Sequence, residues 1–135
     1  MQKINVLLLL TPKTDLACLT EDMNVRQALE KMRAHGFMAI PVISNKGEYL
    51  GTITEGDLLW RLVDEDSDIE ALEDISIREL IRNDYTPAVK VDANTDELIN
   101  MITEQNFVPV IDDRNILMGI VTRKRVLKTL LNNEA

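Results

Sequence analysis

The stretch GTITEGDLL at Gly51–Leu59 returns 68 residues later as GIVTRKRVL at Gly119–Leu127. The glycine, the threonine three residues on and the apolar tail persist, while Asp57 becomes Arg125. The match extends backwards: IPVISNKGEYLGTIT, ending at Thr54, aligns with VPVIDDRNILMGIVT, ending at Thr122. Self-similarity at a fixed spacing marks a repeat architecture, so each copy is read as one structural unit.

Each copy begins with an apolar run (Pro41-Val42-Ile43 and Pro109-Val110-Ile111), passes through a polar turn and resumes as a second apolar run. The turns SNKG and DDRN carry hairpin chemistry, with Gly47 and Asn115 suited to positive φ. Thr54 and Thr122 stand where the apolar period changes from strand to helix, the place of an N-cap. Upstream, Val25, Ala28, Leu29 and Met32 fall at i, i+3, i+4 and i+7 behind Asn24, which predicts an amphipathic helix. Leu98, Ile99 and Ile102 repeat that stripe in the second copy, where Met32–Pro41 is two residues longer than Ile102–Pro109 and the later helix should end early. LACL at 16–19 and AVKV at 88–91 read as the lead strands.

The order is therefore strand, helix, strand, strand, helix, twice. It predicts an α+β fold, with repeat 1 at 6–63, an acidic linker at 64–75 and repeat 2 at 76–131. Seven of the eleven residues from Asp64 to Asp74 are acidic, which suits a solvated connector. Ser76-Ile77-Arg78-Glu79 has the pattern of a capping box opening a short helix. Its counterpart on the repeat alignment, VLLLLT, is accordingly expected to be helical. Neither half of about 60 residues buries enough surface to stand alone, so the two should pack with approximate two-fold symmetry.

Composition narrows the function. The net charge of −8 opposes duplex binding, which needs basic residues to neutralise phosphates. Aromatics at 4% give little to stack on single strands. Cys18 and His35 are each the only one of their kind, which leaves no His/Cys metal cluster and no Ser/His or Cys/His set that points to nucleophilic catalysis. Cys18 reads as core, and His35 before Gly36 as a helix end. Val6–Leu10 is too short to span a membrane, and no cleavage signal follows it. A cytoplasmic location is expected, with no membrane or nucleic-acid partner, no catalytic residues and no metal.

Two tandem units carrying PVI and then G-x-(I/V)-T resemble a pair of cystathionine-β-synthase (CBS) domains, the Bateman module, over about Val6–Leu130 and as a stand-alone bacterial-type protein. The resemblance implies a regulatory module that binds an adenosine-containing ligand between its repeats. AMP, ADP or ATP is the leading class, with S-adenosylmethionine or cyclic di-AMP as further members. Gly51, Ile53, Thr54 and Asp57 match the family's ribose motif, Asp57 taking the sugar hydroxyls and Thr54 lying near sugar or phosphate. The same geometry implies an adenine slot from Ile53 together with Thr86, Ala88 and Val89 of TPAVKV and Phe107, Val108 and Pro109 of FVP.

Residue chemistry agrees. A carboxylate accepts from two hydroxyls at once, and a first helical turn favours negative charge. Gly56 beside it leaves room for a close approach. Arg125 has only donors, so the second cleft, at Thr122 and Arg125, is altered. It either takes no nucleoside, the favoured reading, or uses Arg123, Lys124 and Arg125 to hold phosphates of a ligand bound elsewhere. Asp57 as a mere helix-start residue is the competing account. The family's habit of pairing through helices points to a homodimer with Trp60 and Leu59 at the contact, and to an unidentified regulated protein. A structural adaptor without ligand is the main rival function.

Overall fold

The computed structural model describes residues 5–36, 39–64, 69–81 and 86–133. Among these lie seven strands and five α-helices of an α+β fold: α1 Val6–Leu9, β1 Thr11–Pro12, β2 Leu19–Thr20, α2 Val25–His35, β3 Ala39–Ile43, β4 Tyr49–Thr54, α3 Glu55–Asp64, β5 Val89–Lys90, α4 Thr95–Glu104, β6 Phe107–Ile111, β7 Leu117–Thr122 and α5 Arg123–Asn133. The chain divides into two compact units, Ala17–Tyr85 and Met1–Leu16 with Thr86–Ala135. The residues outside the described ranges include Glu65–Asp68 of the acidic run.

In the Ala17–Tyr85 unit the sheet order is β2-β3-β4, with β2 parallel and β4 antiparallel to β3. Asn24 starts α2 through a reciprocal capping box with Gln27, satisfying two of the donors a helix start leaves open. Val25, Ala28 and Met32 then bury against Leu19, Ile40, Val42 and Ile53. Burial of such side chains contributes roughly 1.5–3 kcal/mol each. The other unit repeats the plan as β1-β7-β6-β5, with Asn94 capping α4 and Leu98 and Ile102 facing Val108, Val110 and Val121. Both lead strands are shorter than the apolar runs predict, because each pairs over two residues only.

The hairpins agree residue by residue. Ser44 Oγ accepts from Lys46 N and Glu48 N, and Asp112 Oδ1 from Arg114 N and Ile116 N. Gly47 and Asn115 both take positive φ, at 88° and 66°. Register shifts opposite Val42/Ile43 and Val110/Ile111 leave Leu50 and Met118 as the extra residues of matching bulges, next to the glycines of the repeated phrase. As expected, α4 stops at Glu104 with Gln105 already extended, while α2 runs to His35 and closes on left-handed Gly36.

The lead-in segments change sides. α1 buries Val6 and Leu9 in the core with Leu98 and Val108, and β1 pairs with β7. Conversely, Leu72, Ile77 and Leu80 fill the core under α2 and β3. VLLLLT is helical from Val6 to Leu9, as the repeat alignment predicts. Two details differ from expectation. Leu72 is wholly buried within the 3-10 segment Ile69–Asp74, so the acidic stretch is more than a solvated connector. Ser76 caps a 3-10 turn at Ile77–Leu80 by accepting from Arg78 N, but the Glu79 side chain turns to Arg61 at 3.2 Å instead of closing a capping box. Cys18 is half-buried just ahead of β2, its carbonyl taking Lys31 Nζ at 2.6 Å.

Tyr49 gives the fold a pH signature. Burial favours the neutral phenol and pushes its pKa up from 10.0 to about 12, against a smaller opposing effect of the 2.8 Å bond with Thr52 Oγ1. The native state therefore keeps this proton where the unfolded chain has lost it, and stability falls as pH rises through that window. In a Tyr85→Phe background, where Tyr49 is the remaining tyrosine, phenolate absorbance should rise about two pH units later in the folded protein than in denaturant. Coincident titrations would refute this burial effect.

Candidate functional site

The repeated phrase folds as β4 running directly into α3, with Thr54 closing the strand and Glu55 opening the helix. Asp57 Oδ2 accepts from Thr54 N at 2.9 Å, and Asp57 N donates to Thr54 Oγ1 at 3.2 Å. Threonine and aspartate three residues apart thus make a reciprocal cap, the helix-start account of Asp57. Yet Asp57 is only 7% exposed, far less than a surface capping residue needs to be. Burying a carboxylate is expensive unless hydrogen bonds meet it, so this one is held with a fixed direction at the positive end of a helix. Such a group can also accept from ligand hydroxyls, since a carboxylate has two oxygens.

In the second copy Thr122 Oγ1 accepts from Arg125 N at 3.2 Å, which preserves half of the cap. Arg125 is exposed and supplies no acceptor. Arg123 does not join a basic cluster: its Nε donates to Ile102 O at 2.8 Å and its Nη2 to Thr103 O at 3.5 Å, closing the C-terminal carbonyls of α4. Lys124, Arg125 and Lys128 instead line a depression of about 390 Å³ with Thr11, Thr122, Thr129 and Asn132. Lys128 was detectable in the sequence as the i+4 neighbour of Lys124; Thr11, far away along the chain, left no such signal.

The slot residues fall into two sets. Ile53 and Val108 are wholly buried in the cores of their respective units, and Val89 is 3% exposed. Through side chains these three serve packing, and only their backbone can meet a ligand. Pro109 is also buried, opposite Ile120 in the β6–β7 ladder. Thr86 is buried and polar, while Ala88 and Phe107 are half-buried. Thr86, Ala88, Phe107, Thr122 and Arg125 therefore belong to one unit, and Ile53, Thr54 and Asp57 to the other. A Cβ at Gly56 would meet only Thr54 Oγ1 at 3.6 Å, an ordinary contact, so packing within the unit does not require that glycine. Among the described residues no group of three or more His, Cys, Asp or Glu could hold a metal ion, and no helix is long and apolar enough to cross a membrane.

The CBS domain family model matches the chain twice, at residues 9–64 and 72–132. The chain belongs to the CBS domain family. The CBS pair is similar to CbpB, whose crystal structure with c-di-AMP superposes at a TM-score of 0.87, with 26% identity, over 96% of this chain and 85% of that one. An uncharacterized protein of Methanopyrus kandleri is 29% identical over 100 residues, 73% of this chain. Inosine-5′-monophosphate dehydrogenase of Methanocaldococcus jannaschii is 25% identical over 118 residues, 84% of this chain. This chain spans 49% and 21% of those two relatives.

Proposed function

We propose that this CBS pair is a non-catalytic regulatory module that binds an adenosine-containing ligand of the AMP, ADP or ATP class. The observation that carries the reading is the buried Asp57 carboxylate, oriented by Thr54 in the first turn of α3. Asp57 holds the ribose hydroxyls and Thr54 lies beside sugar or phosphate. Thr86, Ala88 and Phe107, with backbone groups of Ile53, Val89, Val108 and Pro109, meet the base. The altered copy at Thr122 and Arg125 takes no nucleoside. Ligand shifts the module between states that a partner protein distinguishes, by no more than its differential affinity for them. We place the module in the cytoplasm as a homodimer joined through helices that include Trp60.

A second reading, cyclic di-AMP as the ligand, is favoured by the likeness to CbpB solved with that molecule. A thermal-shift panel separates the two. The true ligand at 100 times its Kd should stabilise the fold by about 2.7 kcal/mol, and guanosine counterparts should do less. A shift confined to cyclic di-AMP supports the second reading. No shift with any adenosine compound, at concentrations up to millimolar, overturns both and leaves the structural adaptor.

A further inference from the structure

Asp57 and Arg61 stand four residues apart on α3, a spacing that stacks two side chains on one edge of a helix. Beside them Leu58 is buried in the core and Leu62 packs against it. Apolar packing is non-directional, so it holds the helix down without fixing its roll as a hydrogen bond does. Arg61 supplies such a bond: its Nη2 donates to Glu79 Oε1 at 3.2 Å, with the Arg61 side chain 25% exposed. Glu79 in turn stands on a fixed post. The 3-10 turn Ile77–Leu80 buries Ile77 and Leu80 in the same core as Leu58. Ile77 N donates to Met23 O at 3.2 Å, and Arg78 Nη2 meets Glu21 Oε1 at 2.6 Å. The second copy keeps neither residue: at the 68-residue spacing Arg125 replaces Asp57 and Thr129 replaces Arg61. The carboxylate and the clasp on its helix are lost together.

We propose that Arg61 is a positioning residue for Asp57, acting through its clasp on Glu79. Thr54 ties the start of α3 through the cap at Asp57, and Glu79 ties the same edge one turn later. Two fixed points set the roll of the helix and so the direction of the carboxylate toward a vicinal diol. This rests on the ribose reading above and adds what aims the acceptor. With the clasp open the cap still holds, but the fit of two carboxylate oxygens to the 2′ and 3′ hydroxyls loosens. A ribose then loses affinity, whereas a 2′-deoxyribose, with one hydroxyl of the pair already missing, loses little. The clasp therefore sets sugar discrimination. Because the pair is partly exposed, its effect is limited to about fivefold.

Titration calorimetry with AMP and ATP, each against its 2′-deoxy counterpart, tests this on the wild type, Glu79→Ala, Arg61→Met and Glu79→Gln. The ratio of ribose to deoxyribose affinity cancels any effect of the changed overall charge. Wild type should favour the ribose form by about tenfold or more, the worth of a hydroxyl bonded to a carboxylate. Glu79→Ala and Arg61→Met should each cut that ratio about three- to fivefold, and the double variant no further. Glu79→Gln, which keeps an acceptor for Arg61, should retain most of it. A ratio unchanged in folded Glu79→Ala, or a loss shared equally by both sugars, overturns the positioning role and leaves the ribose reading standing. A wild type indifferent to the sugar, or binding none of the four compounds at millimolar concentration, overturns the ribose reading and the clasp with it.

Discussion

Replacing Gly119 by alanine should destabilise the protein by about 3 kcal/mol, the upper end of ordinary overpacking. A Cβ there would overlap the Thr11 carbonyl oxygen and stand 2.9 Å from Leu10 Cδ1. The obstacle is mainly backbone, held by the β1–β7 pairing of Thr11 with Ile120 and Pro12 with Gly119, so no side-chain rotation relieves it. Relief requires β1 to leave β7, and that loosens α1, whose Val6 and Leu9 are buried in the same core. Gly56→Ala is the matched control. It adds the same methyl group to a helical position with only an ordinary contact, where losing glycine's backbone freedom stabilises by up to about 1 kcal/mol. Denaturant unfolding of both variants tests the contrast. Equal midpoints would mean that the lead-in strand yields freely.

Gly119 also shows where sequence reading succeeds and where it stops. That a glycine recurs in both copies is plain in the sequence, as are the hairpin turns and the stripe that puts Val25, Ala28 and Met32 inside. These depend on local period and turn chemistry, which short stretches record. That Gly119 touches Thr11 is not recorded, because the contact joins residues more than a hundred positions apart. The exchange of lead-in segments was hidden for the same reason, and with it the burial of Leu72 among carboxylates. At the site, the Thr54–Asp57 pairing was legible from spacing. The division of the slot residues was not: an apolar strand residue such as Ile53 or Val108 looks alike whether it faces core or ligand. Arg123 reads as part of a basic cluster until the C-terminus of α4 is seen to stand beside it.

The second large effect concerns Asp57, where two roles meet on one side chain. Asparagine keeps an acceptor for Thr54 N, so Asp57→Asn should hold the cap and cost under about 1 kcal/mol of stability. Alanine removes the cap and should cost about 1–2 kcal/mol. Toward a vicinal diol the two replacements fail alike. Asparagine has one acceptor oxygen, its amide nitrogen only donates, and the charge that strengthens bonds to hydroxyls is gone. Losing charge-assisted hydrogen bonds worth about 1.5–3 kcal/mol each predicts a fall in affinity of roughly 100-fold or more. A residue that only caps would show the same ranking on the fold, with alanine the more harmful, but neither replacement would affect ligand.

Titration calorimetry of the wild type and Asp57→Asn with the adenosine compound that gives the largest thermal shift is the most direct measurement. The account predicts a folded variant that loses under about 1 kcal/mol of stability and binds at least about 100-fold more weakly. Wild-type affinity in the folded Asp57→Asn protein would contradict it, leaving Asp57 a buried helix cap and no more.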